Sequence, residues 1–324
     1  MNAFDNLLKA YSFIRPVLDV ALMAFIIYKS YEFIVKTNAL QIIKAASVVA
    51  MAVDTTDIVS KIEQIHETSA VTTAALGRLT TAASMIGYSL KNKNDSVTIR
   101  MDGKGPAGVL IAVSDYMGNV KSYITQPVVE IPLNKHGKLD VAGAVGTDGT
   151  LSVIKDIGLR EPFTGIIPIV SGEIAEDIAY YFANSEQVPT VCGLGVLVNP
   201  DLSVNCAGGY LIQLLPFASE EVISTIEKNV NSLPSVTQMM SSGMDMGTLA
   251  LKLLEGLEPN LLDESVVEYR CDCSEERVSR ALISLGGEEL EAMAAEGIDT
   301  EVACHFCNKK YSFTPDEIRK LKKS

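Results

Sequence analysis

Residues 270–274 read Arg-Cys-Asp-Cys-Ser, and residues 304–308 read Cys-His-Phe-Cys-Asn. The two stretches contain four cysteines: Cys271, Cys273, Cys304 and Cys307. A structural zinc ion takes four soft ligands in a tetrahedron, often as two short-spaced cysteine pairs. The segment that holds the pairs is too short to build a large core, and a bound metal can supply the missing stability. The pattern therefore predicts a small C-terminal zinc-binding domain with these four cysteines as metal ligands.

The same spacing permits a second chemistry. Cysteines separated by one or two residues can bring their sulfurs within disulfide distance, and oxidation would remove the ligands of the metal. The spacing alone leaves a permanent structural zinc and a redox-sensitive zinc as open alternatives. His305 lies inside the second pair, and we treat it as a non-ligand because four cysteines already complete the tetrahedron. Cys192 and Cys206 lie in apolar, glycine-rich sequence typical of buried core cysteines.

The composition of the whole chain excludes some partners. The 324 residues carry a formal net charge of −13, and 48% are hydrophobic. An acidic chain of this kind is a poor binder of nucleic acid, since phosphate contacts need clustered Lys and Arg. Metal-type cysteine spacing without a secretory signal predicts a reducing, cytoplasmic location.

Changes in sequence pattern divide the chain into four segments. Residues 1–45 are expected to be a helical extension, and residues 46–217 mix helix and strand patterns. Residues 218–262 have short amphipathic helix patterns and a cluster of methionines, and residues 263–324 hold the cysteines. Strands with helices grouped between them predict an α+β fold, with a mixed sheet and packed helices in 46–217.

Particular elements are expected within these segments. Helix patterns run over 57–66, 69–90, 173–182, 219–230, 248–255, 275–285 and 288–296, and strand patterns over 96–101, 109–114, 120–125, 151–154, 165–170, 193–198, 205–215 and 266–270. Thr314 begins a capping box with Pro315 at the first helical position, which predicts a final basic helix.

The N-terminal extension contains a mostly apolar stretch, Val17–Val35, that Asp19, Lys29 and Glu32 interrupt. The longest uncharged run within it, Val20–Tyr28, is about half the roughly 20 residues that a membrane-spanning helix needs. A marginal membrane contact through residues 17–35 and an amphipathic or buried helix are the two alternatives.

No arrangement typical of an enzyme is found. Gly103–Gly108 resembles a glycine-rich phosphate loop, but Pro106 and the apolar residues that follow predict a turn leading into a strand. Glu173, Glu176 and Asp177 are interpreted as a solvated helix face. The chain is therefore expected to be no enzyme.

Seven stretches together have a recognisable family pattern: Thr68–Arg78, Leu133–Asp140, Val145–Thr150, Val170–Asp177, Ile212–Pro216, Arg270–Ser274 and Cys304–Asn308. They resemble the heat-shock protein 33 family, redox-regulated holdase chaperones of bacteria. The resemblance runs in family order from residue 47 to about residue 318.

This resemblance implies a mechanism. The reduced chain binds one zinc ion through its four cysteines and is inactive. Oxidation forms the disulfides Cys271–Cys273 and Cys304–Cys307, releases the zinc and unfolds residues 218–262 as a metastable linker. The exposed apolar surface then binds unfolded client proteins without ATP, with formation of a homodimer. A zinc-stabilised protein-binding module without a switch is the alternative.

Residues 12–45 depart from that family. They resemble the last membrane helix and following segment of membrane-bound diadenylate cyclases at Leu18–Val20, Phe25–Lys29 and Thr37–Lys44. A membrane-tethered enzyme is the third hypothesis, and the missing cyclase catalytic domain argues against it.

Overall fold

The computed structural model describes residues 47–260 and 262–321. These residues form an α+β fold, as the sequence predicts. The strands are β1 (Val48–Asp54), β2 (Ser96–Asp102), β3 (Val109–Asp115), β4 (Val120–Ile124), β5 (Thr150–Asp156), β6 (Phe163–Pro168), β7 (Thr190–Val198), β8 (Val204–Leu214), β9 (Thr300–Ala303) and β10 (Lys310–Phe313). The helices are α1 (Thr56–His66), α2 (Ala70–Tyr88), α3 (Val141–Val145), α4 (Ala175–Tyr181), α5 (Glu220–Ser232), α6 (Val236–Ser241), α7 (Met246–Leu253), α8 (Glu275–Ile283), α9 (Gly287–Ala295) and α10 (Pro315–Leu321).

Helix α2 is the centre of the molecule. It is rich in Ala and Thr, and from Val71 to Gly87 nearly every residue is buried. Small side chains let helix α1 and strand β7 approach it closely; a Cβ at Gly77 would lie 2.8 Å from Val59 and 2.9 Å from Val196. Its buried hydroxyls are satisfied locally, since Thr80 and Thr81 donate to the carbonyls of Leu76 and Gly77.

A five-stranded sheet in the order β4-β3-β2-β5-β6 packs on one side of α2. Its inner strands alternate buried and half-buried residues, as expected for a sheet with one face in the core. All of its ladders are antiparallel. Among the described residues, the parallel pairing expected of a mixed sheet is limited to one bridge, between Val120 of β4 and Tyr269.

A three-stranded sheet in the order β1-β8-β7 has two apolar faces. Side chains alternate along β8, so that Ala207 and Leu211 face the core around α2. Tyr210 and Ile212 point to the opposite side and belong to a second cluster. A sheet that is apolar on both faces needs a cover on each.

The second cover consists of α5, α6 and α7, which we call the covering helices. Their buried side chains include Leu249 and Leu253, which are 0% and 1% exposed. Each helix begins at a side-chain cap: Ser219, Ser235 and Asp245 accept hydrogen bonds from backbone N–H groups of the first turn. The apolar faces within residues 218–262 are therefore packed against a specific partner in this structure.

Two expectations about loops have different outcomes. Gly103 and Gly105 lie in a turn against the backbone of residues 144–146, and β3 follows, so the turn interpretation is confirmed. The solvated carboxylate face is wrong for Asp177, which is fully buried. Its carboxylate accepts hydrogen bonds from the N–H groups of Val170, Ser171 and Ile174, which hold the loop before α4.

The predictions for the N-terminal extension, including the membrane contact at 17–35 and the cyclase resemblance at 12–45, lie outside the described residues. Within 47–260 and 262–321, no helix has the length and apolar character required to cross a membrane.

Candidate metal centre

The first cysteine pair follows a short segment that lies beside β4. Val120 donates its N–H to the carbonyl of Glu268 at 3.0 Å, and Arg270 donates to the carbonyl of Val120 at 2.9 Å. The strand predicted over 266–270 is thus reduced to the bridge centred on Tyr269. After the cysteines, Ser274 accepts from the N–H of Arg277 and begins α8.

The second pair occupies the turn between β9 and β10. Cys304 and Lys309 close this turn, with the Cys304 N–H donating to the Lys309 carbonyl at 2.9 Å. Asn308, in the left-handed region at φ 56°, donates its N–H to the Cys304 carbonyl at 2.8 Å. The hairpin therefore presents Cys304 and Cys307 on one tight turn.

The fold brings all four sequence-predicted ligands together. Their sulfur atoms lie within 4.8 Å of one another, and all four are free thiols that form no disulfide. Cys271 Sγ is 3.7 Å from Cys304 Sγ, and Cys273 Sγ is 3.4 Å from Cys307 Sγ. Four sulfurs at about 2.3 Å from one zinc ion would be about 3.8 Å apart. Four soft donors at this spacing can hold a metal ion, and the donor set fits zinc.

The thiols differ in acidity. Burial raises the pKa of the Cys271 and Cys307 thiols. Burial also opposes ionisation of Cys273, but hydrogen bonds from Tyr311 and the neighbouring thiols outweigh it and lower its pKa to about 7. The Tyr311 hydroxyl donates to Cys273 Sγ at 3.2 Å. The Cys273 thiol thus ionises readily at neutral pH, and a bound cation would favour ionisation of Cys271 and Cys307 as well.

A small core supports the cysteines. Its cluster is built from α8, α9, α10 and the β9–β10 hairpin, and its buried members are Leu282, Leu290, Ala294, Tyr311, Phe313 and Ile318. The capping box predicted at the last helix is present, since Thr314 and Glu317 exchange side-chain and backbone hydrogen bonds. Such a small cluster is consistent with a unit that depends on additional cross-links.

The cysteine unit, residues 263–321, also contacts the first part of the chain directly. Tyr123 of β4 stacks on His305 at 5.6 Å between ring centroids and meets Phe306 edge-on at 5.2 Å. His305 is therefore engaged with an aromatic ring, and it is not in the sulfur cluster. Lys121 forms an ion pair with Asp272.

Comparison with known proteins agrees with this architecture. The family model described as "Hsp33 protein" matches residues 40–314. The chain belongs to the Hsp33 family. The proteins named 33 kDa chaperonin from Clostridioides difficile and from a Geobacillus species are 47% and 46% identical to it. These alignments cover 85% and 84% of this chain, and 94% and 92% of the relatives.

A solved member of the Hsp33 family has the same fold. The crystal structure of the 33 kDa chaperonin from Thermotoga maritima aligns with a TM-score of 0.78 at 37% identity. The alignment covers 86% of this chain and 94% of that one.

Sequence reasoning missed two side chains that contact this site. Tyr311 was not identified, although its position seven residues after Cys304 in an alternating stretch could have indicated an inward-facing strand residue. Tyr269, whose hydroxyl lies between β4 and the second cysteine turn, has no signal in a single sequence, because its partners are backbone carbonyls.

Proposed function

We propose that this member of the Hsp33 family is a redox-regulated, ATP-independent holdase chaperone, inactive when reduced and zinc-bound. The observation that carries the proposal is the sulfur cluster, in which four cysteines from two chain segments lie within 4.8 Å of one another. The two relatives described above are named 33 kDa chaperonin, which supports a chaperone.

Residues 46–217 would form the chaperone domain, residues 218–262 the linker, and residues 263–324 the switch. The packing of the covering helices supports this division. They cover the apolar face of the β1-β8-β7 sheet that carries Tyr210 and Ile212. Release of these helices would expose that face together with their own apolar sides, a surface suited to unfolded client proteins.

In the reduced chain, one zinc ion would bind Cys271 and Cys273 of the first pair and Cys304 and Cys307 of the β9–β10 turn. The ion would thereby cross-link these two segments of the chain. Loss of the cross-link would leave the small core around Leu282 and Leu290 to hold the unit alone. Because that core is small, the unit and the linker before it would lose their structure.

The oxidation is a two-electron step for each disulfide. Two thiols transfer two electrons and two protons to hydrogen peroxide, a sulfur–sulfur bond forms, and the peroxide is reduced to two water molecules. We propose the pairs Cys271–Cys273 and Cys304–Cys307. Bonds within each pair separate the two segments, whereas bonds such as Cys271–Cys304 would keep them cross-linked. The identity of the disulfides therefore decides whether oxidation releases the unit.

Zinc release and client protection test the function together. Reduced, zinc-loaded chain is treated with peroxide, released zinc is followed with a colorimetric chelator, and light scattering of a heat-unfolding client is recorded. Zinc release and suppression of aggregation should rise together, and peptide mapping should find the two within-pair disulfides. Cys192→Ser, which leaves the cluster intact, is the matched control and should behave as the parent chain.

Two results would contradict the proposal. If zinc remains bound after oxidation, the four cysteines are not a redox switch. If the reduced chain suppresses aggregation as well as the oxidised chain, a constitutive zinc-stabilised binding module is the correct function. Sedimentation of the oxidised chain tests the proposed homodimer.

The N-terminal extension is tested separately. The proposed switch and client surface lie after residue 46, so deletion of residues 1–45 should leave zinc release and client protection intact. If residues 17–35 contact a membrane, the same deletion should move the chain from the membrane fraction to the soluble, cytoplasmic fraction of a cell lysate.

A further inference from the structure

The cysteine unit touches the first part of the chain through a three-residue extended segment that forms a single β-bridge at the edge of the five-stranded sheet. Residues 268–270, which we call the docking strand, pair in parallel with β4 through Val120. Two backbone hydrogen bonds of 3.0 and 2.9 Å hold the strand there. The Asn119 side chain accepts a third from the N–H of Glu268 at 3.2 Å. The docking strand covers a sheet edge that would otherwise be open.

Tyr269 stands at the centre of this contact. It is 7% exposed, and its hydroxyl lies 3.1 Å from the carbonyl oxygen of Ser122 and also against the carbonyl oxygen of Phe306. One side chain therefore joins β4, the first cysteine segment and the turn that holds the second pair.

Other contacts surround this hydroxyl on both sides. His66 of α1 shares the Ser122 carbonyl at 2.9 Å, and the Asn308 side chain donates to the carbonyl of Ile65. Tyr123 packs on both residues inside the second cysteine pair, His305 and Phe306. The second pair is thus held against the first part of the chain by backbone, amide and aromatic contacts that do not involve residues 218–260.

We propose that Tyr269 is a positioning residue that holds both cysteine segments against β4 and thereby sets how fast the cluster is oxidised. This rests on the redox switch proposed above and adds a direct route between the cysteines and the chaperone domain, independent of the linker. In the docked state β4 and Tyr123 cover one side of the second cysteine turn. Under this proposal, closure of a Cys304–Cys307 disulfide displaces His305 and Phe306 from the Tyr123 ring.

Tyr269→Phe removes only the hydroxyl and is the appropriate variant. Loss of one hydrogen bond of ordinary strength corresponds to about a 2- to 12-fold change in an equilibrium. Zinc release from reduced, zinc-loaded Tyr269→Phe in peroxide should be faster by about that factor, with one zinc per chain still bound at the start. Tyr180→Phe, an exposed tyrosine on α4, is the matched control and should release zinc at the parent rate.

Amide hydrogen exchange of the reduced chains provides the readout that is independent of redox chemistry. Exchange at Val120 and Arg270 should accelerate in Tyr269→Phe, while exchange in α2 should not change. Equal zinc-release rates in Tyr269→Phe and the parent overturn the proposal, even if exchange accelerates. Unchanged exchange at Val120 also overturns it, because the docking strand would then not depend on the hydroxyl. Failure of the switch itself is distinguishable, since the parent chain would then release no zinc.

Discussion

Leu249 of α7 tests whether the covering helices hold the chaperone inactive. This side chain is 0% exposed in the cluster between the helices and the β1-β8-β7 sheet. Leu→Ala at a fully buried site costs about 2–5 kcal/mol. Because about 1.4 kcal/mol corresponds to a tenfold change, the uncovered form should become roughly 30-fold to a few thousand-fold more populated if the truncation destabilises only the covered state.

The assay is client protection under reducing conditions with zinc present. Leu249→Ala should suppress aggregation of a heat-unfolded client without any oxidant, while zinc remains bound. Leu251→Ala provides the matched control, because the same truncation two residues along α7 removes a side chain that is 52% exposed. If both variants stay inactive until peroxide is added, packing of the covering helices does not restrain the activity.

Three further predictions concern single side chains. Cys206 is buried under α6, with its thiol 3.7 Å from the Thr237 carbonyl. Because release of the covering helices would expose this thiol, iodoacetamide should label Cys206 in the oxidised chain and not in the reduced chain. Cys192 lies on the α2 side of the sheet and should stay unlabelled in both chains. Cys304→Ser should weaken zinc binding at least tenfold in a chelator competition, and unchanged affinity would remove Cys304 from the site. Burial lowers the pKa of His66 below 6.5 despite its hydrogen bond with Ser122, so the folded state resists protonation of this side chain. Its contribution to stability should be full above pH 6.5 and be lost as the pH drops through the folded pKa. The urea midpoint should therefore fall more between pH 7.5 and pH 5.5 in the parent than in His66→Gln, and an equal fall in both chains would contradict this.

The sequence predicts much of the first part of the chain. Alternating apolar residues identified β2 and a short apolar run identified β3, each within one residue of its observed ends. The Ala- and Thr-rich stretch with apolar residues at helical spacing identified α2. Strand β2 is predictable because one of its faces lies in a single core, which imposes a period of two. Helix α2 is buried on nearly all sides, and its length and helical spacing are what distinguish it from a strand. The cysteine spacing likewise predicts the sulfur cluster, since two short pairs on turns leave few other arrangements.

The missed elements have physical reasons. Strand β1 is apolar on successive residues because both faces of its sheet are covered, and such a short apolar run has no period to detect. The β9–β10 hairpin has only four residues in each strand. Helices α5 and α7 were expected from their sequence patterns, whereas α6 was not predicted. The packing of all three depends on the second face of the β1-β8-β7 sheet, which no local pattern reveals.

The contact between helix α2 and the β1-β8-β7 sheet bears on how the covering helices would return to the sheet after release. The β1-β8-β7 sheet is anchored to α2 by Ala207 and Leu211 on the face away from the covering helices. Loss of the outer layer therefore removes only one of the two apolar contacts of the sheet, and the inner contact keeps the strands in register. The covering helices can therefore open as a separate cooperative unit, with a free energy of opening below the free energy of global unfolding. After reduction, the outer layer would fold back onto a preformed template, so that recovery needs local folding rather than refolding of the entire chain.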